Sequence, residues 1–285
     1  MYVAFNGLQL GDGTNYVIRS IDGLDSLPDV SIGMVAKPRR HGSWLGGKLG
    51  IKRVVTIELD VIGDLTDDNR TTKPKLALQN ACQLSDVEVP LEFDLGEGEP
   101  PCYVMASVTS FDAPITQGYL RRRPVVIEFT ATDPVKYGMS PKNQATTPPK
   151  APPATPYGVA YGFAYSEGTA TSGTFTVSNA GNTRSNTRIT IKGPVNNPTV
   201  TLTDGQATRT ARFNVNLVTS DLLVIDSKEN TVLLNGADRL NVASGALVAD
   251  MFVRPGTTTV EFGGIFNPAS NPEATLTVEW RDTSN

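Results

Sequence analysis

Apolar and polar residues alternate over several parts of this chain, and a period of two is typical of strands with one buried face. In the stretch Arg53 to Ile62 the apolar side chains point one way and Thr56, Glu58 and Asp60 point the other. The same alternation predicts strands in both halves of the chain, around residues 125–129, 189–191, 260–262 and 276–280. The sequence therefore predicts a mainly β protein.

Turn residues support this prediction. Asn6-Gly7 and Asn235-Gly236 each stand between two short apolar runs, and Asn-Gly readily takes the positive φ angles of a tight hairpin. One segment has helical spacing instead: Pro74 opens a predicted helix that runs to about Leu84. Its narrow apolar stripe suits a helix packed on one sheet, and consists of Leu76, Ala77, Asn80, Ala81 and Leu84.

The length and one proline-rich segment indicate two domains. At 285 residues, two cores of ordinary size are more usual than one. Residues 141–156 contain six prolines and no aliphatic side chain larger than alanine. We interpret them as a stiff extended linker, with a ligand for an aromatic groove as the less common use of such a segment. The predicted domains are residues 1–140 and 157–285.

Composition and charge exclude several classes of protein. The net charge of −4 and the pI near 5.2 argue against a protein that grips nucleic acid, so any contact with DNA is expected to be passive. Cys82 and Cys102 are too few to define a disulfide framework and are expected to be reduced and partly buried. No apolar run is long enough to span a bilayer, and the N-terminus lacks a secretory signal, so we expect a soluble protein made in the cytoplasm.

Candidate catalytic and metal-binding residues are few. His41 is the only histidine, and it lies in a basic, glycine-rich stretch, residues 37–48, that is typical of an exposed loop. No carboxylate in that loop could orient its ring. The aspartates of residues 22–29 lack the spacing of a calcium loop. Those of residues 64–69 suit a turn followed by a helix start, where carboxylates accept free backbone N–H groups, and no phosphate-binding loop is present. We predict no catalytic residue, no cofactor and no metal.

The second half of the chain carries a distinctive series of motifs. In order, they are Arg188 to Thr199 with its Gly-Pro and Asn-Pro, Leu222-Leu223-Val224-Ile225-Asp226, Thr231-Val232-Leu233-Leu234-Asn235-Gly236, the Pro255-Gly256 turn, and the closing strand Ala274 to Asp282. This series resembles the carboxy-terminal domain of siphophage distal tail proteins. The first half resembles the partner domain of that family more loosely, and together the resemblance covers nearly the whole chain.

The resemblance implies a fold and a role. In this family the first domain is a tail-tube-like β-barrel or sandwich with one helix, and the second is a galectin-like β-sandwich. The implied function is a structural virion protein that forms a homohexameric ring at the distal end of the tail tube. The implied partners are copies of itself, the tail tube protein, the tail-tip hub, and tail fibres or receptor-binding proteins. The expected location is the virion tail tip, after assembly in the bacterial cytoplasm.

A ring subunit needs edge strands or arms that pair with its neighbours. The stretch from Met34 to Ile51 is the candidate arm, with a mobile surface loop as the alternative. Arg121-Arg122-Arg123 stands just before a predicted strand, where it is either a solvated strand end or part of a subunit contact. Tryptophan and arginine are common interface anchors. The predicted interface residues are Arg39, Arg40, His41, Trp44, Arg121, Arg122 and Arg123.

Two other functions compete with this one. A carbohydrate-binding tail component that recognises the host surface would need an exposed aromatic platform, whereas Trp280 in the second domain stands in an alternating strand and should face the core. An enzyme that degrades the cell wall is disfavoured because the sequence lacks the carboxylate and metal constellations it would need. His41 is the only histidine, so a nucleophile-histidine-acid arrangement would have to use it, and activity that vanished in a His41→Ala variant would revive this class.

Overall fold

The computed structural model describes residues 1–63, 71–96, 98–115, 121–148, 173–266 and 273–285. These residues form two compact units. The first comprises Met1–Met139 with Ser284–Asn285, and the second comprises Ser140–Thr283. Both units are built mainly from antiparallel strands, as the alternation of apolar and polar residues predicts. No helix among the described residues is long and apolar enough to cross a membrane.

The first unit is organised around one antiparallel sheet. Its strands are β1 (Tyr2–Phe5), β2 (Leu8–Gly11), β3 (Tyr16–Asp22), β4 (Asp29–Ala36), β5 (Ser43–Ile62), β6 (Val89–Asp94), β7 (Cys102–Asp112), β8 (Arg122–Ala131) and β9 (Lys136–Gly138). The main path runs β2-β1-β6-β7-β8-β5-β3, with β4 added to β5 and β9 added to β7. This path is open at both ends, so the barrel form of the predicted first domain is not found in the described residues.

The core of this unit follows the predicted alternation. Val55, Ile57, Leu59 and Val61 of β5 are at most 1% exposed. The alternation misplaces Asp60, which was expected to face solvent and is instead fully buried. Arg19 and Arg122 form ion pairs with Asp60. The alternation within one strand cannot predict these partners, because they come from other strands.

The helix of the first unit, α1 (Thr72–Ala81), lies close to its predicted place but buries a different face. It begins before Pro74, which is tolerated because a proline in the first turn blocks no hydrogen bond of the helix interior. Leu78 is the buried residue of α1, whereas Leu76 and Leu84 are exposed. The predicted stripe was therefore wrong, and the core side of this segment is formed by Leu78 and Cys82.

The second unit has two main sheets around one core, and a further pair of short strands, Ser185–Asn186 and Phe252–Val253. Its strands are β10 (Lys142–Thr146), β11 (Thr174–Asn179), β12 (Ser185–Asn186), β13 (Arg188–Lys192), β14 (Val195–Thr203), β15 (Thr208–Phe213), β16 (Asn216–Leu217), β17 (Leu222–Asp226), β18 (Thr231–Leu234), β19 (Ala237–Asp238), β20 (Ala243–Gly245), β21 (Phe252–Val253), β22 (Gly256–Ile265) and β23 (Thr275–Trp280); β24 is Thr283–Ser284.

One six-stranded sheet has the order β10-β23-β13-β17-β18-β19, and the other has the order β11-β22-β14-β15-β20 with β16 paired to β14. Both sheets supply buried residues to the same core, for example Ile191 and Val278 from the first sheet and Leu202 and Phe262 from the second. Asn235 lies at the turn between β18 and β19 with a φ of 50°, as expected for an Asn-Gly hairpin.

The predicted linker needs a correction at its start. Residues 141–156 were expected to be an extended spacer, but Lys142–Thr146 form β10 and pair with Leu276–Trp280 of β23. Prolines are concentrated after this strand, so nothing prevents its backbone N–H groups from joining a ladder. The residues from 149 to 156 lie outside the described residues, as do the aspartates of 64–69. The extent of the linker between the two predicted domains stays a prediction.

Candidate subunit interface

A two-stranded hairpin of the first unit is the most exposed regular structure among the described residues. It consists of β4 (Asp29–Ala36) and the first half of β5 (Ser43–Lys52), and we call residues 29–52 the arm. Every residue of β4 and every residue of β5 from Ser43 to Lys52 is exposed. The candidate arm predicted from Met34 to Ile51 therefore lies in a hairpin, and only residues 37–42 form the loop that was expected over 37–48.

The arm is exposed although many of its side chains are apolar. Trp44 is 55% exposed and Leu49 is 71% exposed. The exposed apolar side chains of the arm are Val30, Ile32, Met34, Val35, Trp44, Leu45, Leu49 and Ile51. A monomer in water rarely leaves so many large apolar groups together at its surface, and such patches usually mark an interaction site.

Both outer edges of the arm are also open. Within the described residues β4 pairs only with β5, and β5 pairs with β8 and β3 only from Arg53 onward. The backbone N–H and C=O groups along the outer edges therefore have no strand beside them. An isolated two-stranded hairpin is marginally stable in water, and a long open edge is a template for pairing with another chain. The arm thus has the features of a segment that a partner completes.

Glycines shape the arm locally. The pairing of β4 with β5 shifts register between Ile32 and Met34. At this point Gly33 of β4 stands opposite two residues of β5, Gly46 and Gly47. At this irregularity the backbones approach closely, since a Cβ on Gly46 would lie 2.8 Å from the carbonyl oxygen of Gly33. A β-bulge of this kind increases the local twist of a strand pair. The glycines thus adapt a hairpin to a curved path.

The turn at the tip of the arm presents three of the predicted interface residues. Arg39 has a φ of 57° in this turn, and the N–H of Lys37 donates to the carbonyl oxygen of Gly42. Arg39, Arg40 and His41 are exposed, and none has an ion-pair partner among the described residues. The tip therefore combines positive charge with the apolar strands behind it.

The base of the arm is fastened by a buried arginine. Arg53 is 1% exposed and lies at the point where β5 passes from the arm into the core. Its Nη1 donates to the carbonyl oxygens of Gly23, Leu24 and Ser26, at 2.9, 2.6 and 2.7 Å. Its Nε donates to the carbonyl oxygen of Pro134 at 2.9 Å. Arg53 thereby ties the segment before β4 to the segment after β8.

The arginine run at the start of β8 is largely used within the subunit. Arg122 donates from Nε to Oδ2 of Asp60 at 2.7 Å, and Arg19 donates to the same oxygen from Nε at 2.5 Å. Burial alone would raise the pKa of Asp60, but the hydrogen bonds from these two arginines outweigh it and hold the pKa below its usual value. Arg123 donates to the carbonyl oxygen of Ala113. The side chains of the run are therefore not all available to a partner.

The other candidate chemistry does not converge on a site. Within the described residues no three histidine, cysteine, aspartate or glutamate side chains are placed to hold a metal ion. Asp25 pairs with Lys136 at 2.7 Å, and Asp29 pairs with Lys52 at 3.8 Å. Cys82 is a free, buried thiol, and its burial raises its pKa to about 12.

The second unit offers no aromatic platform in its described part. Trp280 is 7% exposed and donates from Nε1 to the carbonyl oxygen of Ser178 at 2.9 Å, so it faces the core as predicted. The exposed large apolar side chains described in this unit are aliphatic: Val218, Leu222, Leu240, Leu247 and Ile265.

Sequence reasoning named the charged and aromatic residues of the arm but missed its aliphatic ones. Met34, Val35, Leu45 and Leu49 are all more than half exposed. The sequence did contain a signal for these residues: large aliphatic residues occur in a stretch whose glycines and basic residues are typical of a surface segment. Such residues are usually buried, so their position in an exposed stretch points to an interface.

Comparisons with known proteins agree with this fold. Residues 180–283 match a family model described as the siphovirus-type tail component, C-terminal domain. A comparison with curated protein sequences gave no match. Among solved structures, the Dit protein of phage SPP1 has a TM-score of 0.66 and 16% identity, and the match covers 99% of this chain and 98% of that one. That protein is described as a paradigm of the hub adsorption apparatus in phages that infect Gram-positive bacteria.

Two structures of the phage p2 baseplate in its activated conformation, with Ca and with Sr, match at 13% identity with TM-scores of 0.48 and 0.47. These matches cover 98% of this chain and 97% and 96% of the p2 chains. The likeness to the SPP1 protein shows a shared fold, and the family model accounts for residues 180–283 of the sequence. The predicted resemblance is thus confirmed: residues 180–283 are similar to the C-terminal domain of siphovirus-type tail components.

Proposed function

We propose that this chain forms a homohexameric ring at the distal end of the tail tube, where it connects the tube to the tail-tip hub and to fibres or receptor-binding proteins. The role is structural, without a chemical reaction. The genome passes through the ring without being gripped. The observation that carries this proposal is the arm, since it joins open strand edges to exposed apolar side chains in one segment.

The arm supports self-association for a physical reason. Burying one large aliphatic side chain contributes about 1.5–3 kcal/mol, and the arm exposes eight apolar side chains. Main-chain pairing along an open edge adds affinity that depends little on the identity of the side chains. In a closed ring each arm is covered by the next subunit, and no edge is left for open-ended growth.

The fold of the SPP1 Dit protein supports the same position in the virion, because that protein is described as part of a hub. The proposed partners are accordingly the tail tube protein on one side and hub or receptor-binding proteins on the other. The two predicted domains would divide this work, the first forming the ring and the second attaching further tail proteins.

The test is the oligomeric state of the purified full-length chain. Light scattering after size exclusion gives the mass, and class averages from electron microscopy give the symmetry. We expect six-fold rings. Leu49→Ser on the arm should weaken each contact roughly 30-fold, for about 2 kcal/mol of lost burial, and should shift the population to smaller species.

Leu247→Ser is the matched control, because Leu247 in the second unit is 69% exposed and Leu49 is 71% exposed. The control should still form rings. A wild-type chain that stays monomeric at high concentration would contradict the proposed ring. Rings in the Leu49→Ser variant as stable as those of wild type would show that the arm is not the contact.

A further inference from the structure

The second unit contains a polar cleft. Its volume is about 730 Å³, within the range of sites that hold small ligands. Three short segments surround it: the loop before β12, the turn between β14 and β15, and the residues around the end of β21. The lining residues that matter here are Asn182, Arg184, Asp204, Gln206, Phe252 and Arg254.

Three guanidinium groups gather around one buried aromatic ring. The Cζ atoms of Arg209, Arg184 and Arg254 lie 4.4, 5.3 and 5.6 Å from the ring centre of Phe252. Each of these contacts is favourable, because a cation is attracted by the face of an aromatic ring. The ring thus holds together three like charges that would otherwise repel one another.

A single carboxylate anchors two of these arginines. Oδ2 of Asp204 pairs with Nη2 of Arg209 at 2.5 Å and with Nε of Arg254 at 3.2 Å. Its Oδ1 accepts the backbone N–H groups of Gln206 and Ala207, both at 2.9 Å. Burial would raise the pKa of Asp204, but these partners lower it below its usual value, so the group stays ionised.

The cleft therefore carries surplus positive charge. The three arginines and the carboxylate of Asp204 together carry a net charge of +2. Asp250 also acts on Arg209, and including its negative charge leaves a net charge of +1. Arg184 is exposed and has no carboxylate partner among the described residues. Nε of Arg209 is buried and has no hydrogen-bond acceptor within the described part of the chain, and Nε of Arg254 forms no well-directed hydrogen bond although it lies 3.2 Å from Oδ2 of Asp204. Donors of this kind are costly to leave unmatched.

We propose that this cleft binds the phosphate or carboxylate group of a small polar ligand, with the anion held by the guanidinium groups of Arg184 and Arg254. A planar guanidinium forms paired hydrogen bonds with either group. The side chains of Asn182 and Gln206 line the same cleft. Oε1 of Gln206 accepts from Nη1 of Arg254, so its NH2 group is the part suited to a hydroxyl or carbonyl group on the rest of the ligand. The site is independent of the ring proposed above, since every residue in it belongs to the second unit.

The test uses the full-length chain with pyrophosphate and citrate as probes, so that phosphate and carboxylate are examined separately. Calorimetry measures the affinity, and the arginine Nε–H signals in NMR spectra report which guanidinium groups respond. We expect saturable binding of at least one probe, weakened by added salt. Arg184→Gln should reduce the affinity at least about tenfold, the loss of one charge-assisted hydrogen bond.

Arg212→Gln is the matched control, because Arg212 is exposed on β15 and does not line the cleft. It should bind like wild type. Thermal unfolding of both variants checks that they fold, and we expect this because both arginines are exposed.

Three results would overturn the proposal. One is the absence of saturable binding of either probe. Another is an equal loss of affinity in the two variants, which would indicate diffuse charge attraction only. The third is equal affinity for glucose and glucose 1-phosphate, which would show that the phosphate group contributes nothing to binding. If an acidic peptide binds and neither pyrophosphate nor citrate does, the proposed small ligand is wrong and the cleft binds a protein partner.

Discussion

Replacing Arg53 by methionine should destabilise the first unit by about 2–4 kcal/mol. The substitution keeps an unbranched side chain of similar length but removes the four hydrogen bonds to the carbonyl oxygens of Gly23, Leu24, Ser26 and Pro134. Each buried carbonyl left without a donor costs about 1–3 kcal/mol. Only part of that cost applies here, because Ser26 lies in an exposed stretch where water can replace the lost donor.

An opposing term decides the sign of the effect. Burying a guanidinium is costly, and burial accordingly lowers the pKa of Arg53. Replacing buried ions by apolar groups is sometimes stabilising. Against this, Arg53 forms no ion pair with a carboxylate among the described residues, so its loss leaves no such charge unpaired there. Arg53 is also the shared donor for two chain segments. We expect the free energy lost with the four hydrogen bonds to exceed the free energy gained by no longer burying a charged guanidinium.

The measurement is urea unfolding of the full-length chain combined with hydrogen exchange read by mass spectrometry. Exchange should accelerate in peptides over residues 20–30 and 53–62, and should stay unchanged in the second unit. Arg53→Lys should fall between wild type and methionine, since an ammonium group keeps the charge but not the fork of donors. Arg212→Met, at an exposed position, should have no effect. A methionine variant as stable as wild type would refute the reasoning.

Two further predictions concern buried titratable groups. The pKa of Asp60 is lower in the folded state, so its stabilising contribution is complete above the unfolded pKa of about 4 and is lost as the pH falls through the folded value. Asp60→Asn should therefore lower the urea midpoint by a constant amount between pH 5 and 8, and the gap to wild type should narrow progressively as the pH falls below about 4. A gap that stays constant or widens as the pH falls below about 4 would contradict this. Since the pKa of the Cys82 thiol is about 12, alkylation of the native protein at pH 8 should leave it unmodified until urea is added, and rapid labelling without urea, seen by mass spectrometry, would contradict its burial.

The strands of the two cores could be predicted from the sequence because one of their faces is buried. Val55 to Val61 show this directly, since every second residue is apolar and nearly inaccessible. The arm could not be predicted as a hairpin, because both of its faces are exposed and alternation carries no information there. Its glycines and its Pro38 are typical of loops, and the pairing of Asp29–Ala36 with β5 decides otherwise.

Polar residues inside the strands were the harder part. Asp60 has the same spacing as Glu58, yet Asp60 is fully buried and Glu58 is exposed. The difference comes from Arg19 and Arg122, which lie 41 and 62 residues away in sequence. The helix shows the same limit, since Leu76 and Leu78 are both compatible with an apolar stripe and only the packing of α1 selects Leu78.

The continuity of β5 gives the arm a physical role in assembly. One strand supplies both the central core of the first unit and half of the arm, with Arg53 at the junction. The core half holds the start of the arm in position, so less backbone entropy is lost when a neighbouring subunit covers the rest. A free hairpin of the same sequence would have to be ordered entirely by its partner. If the ring forms as proposed, weakening the Arg53 junction should therefore lower ring stability even though Arg53 is buried within its own subunit, and ring assembly measured in Arg53→Lys tests this link between fold and function.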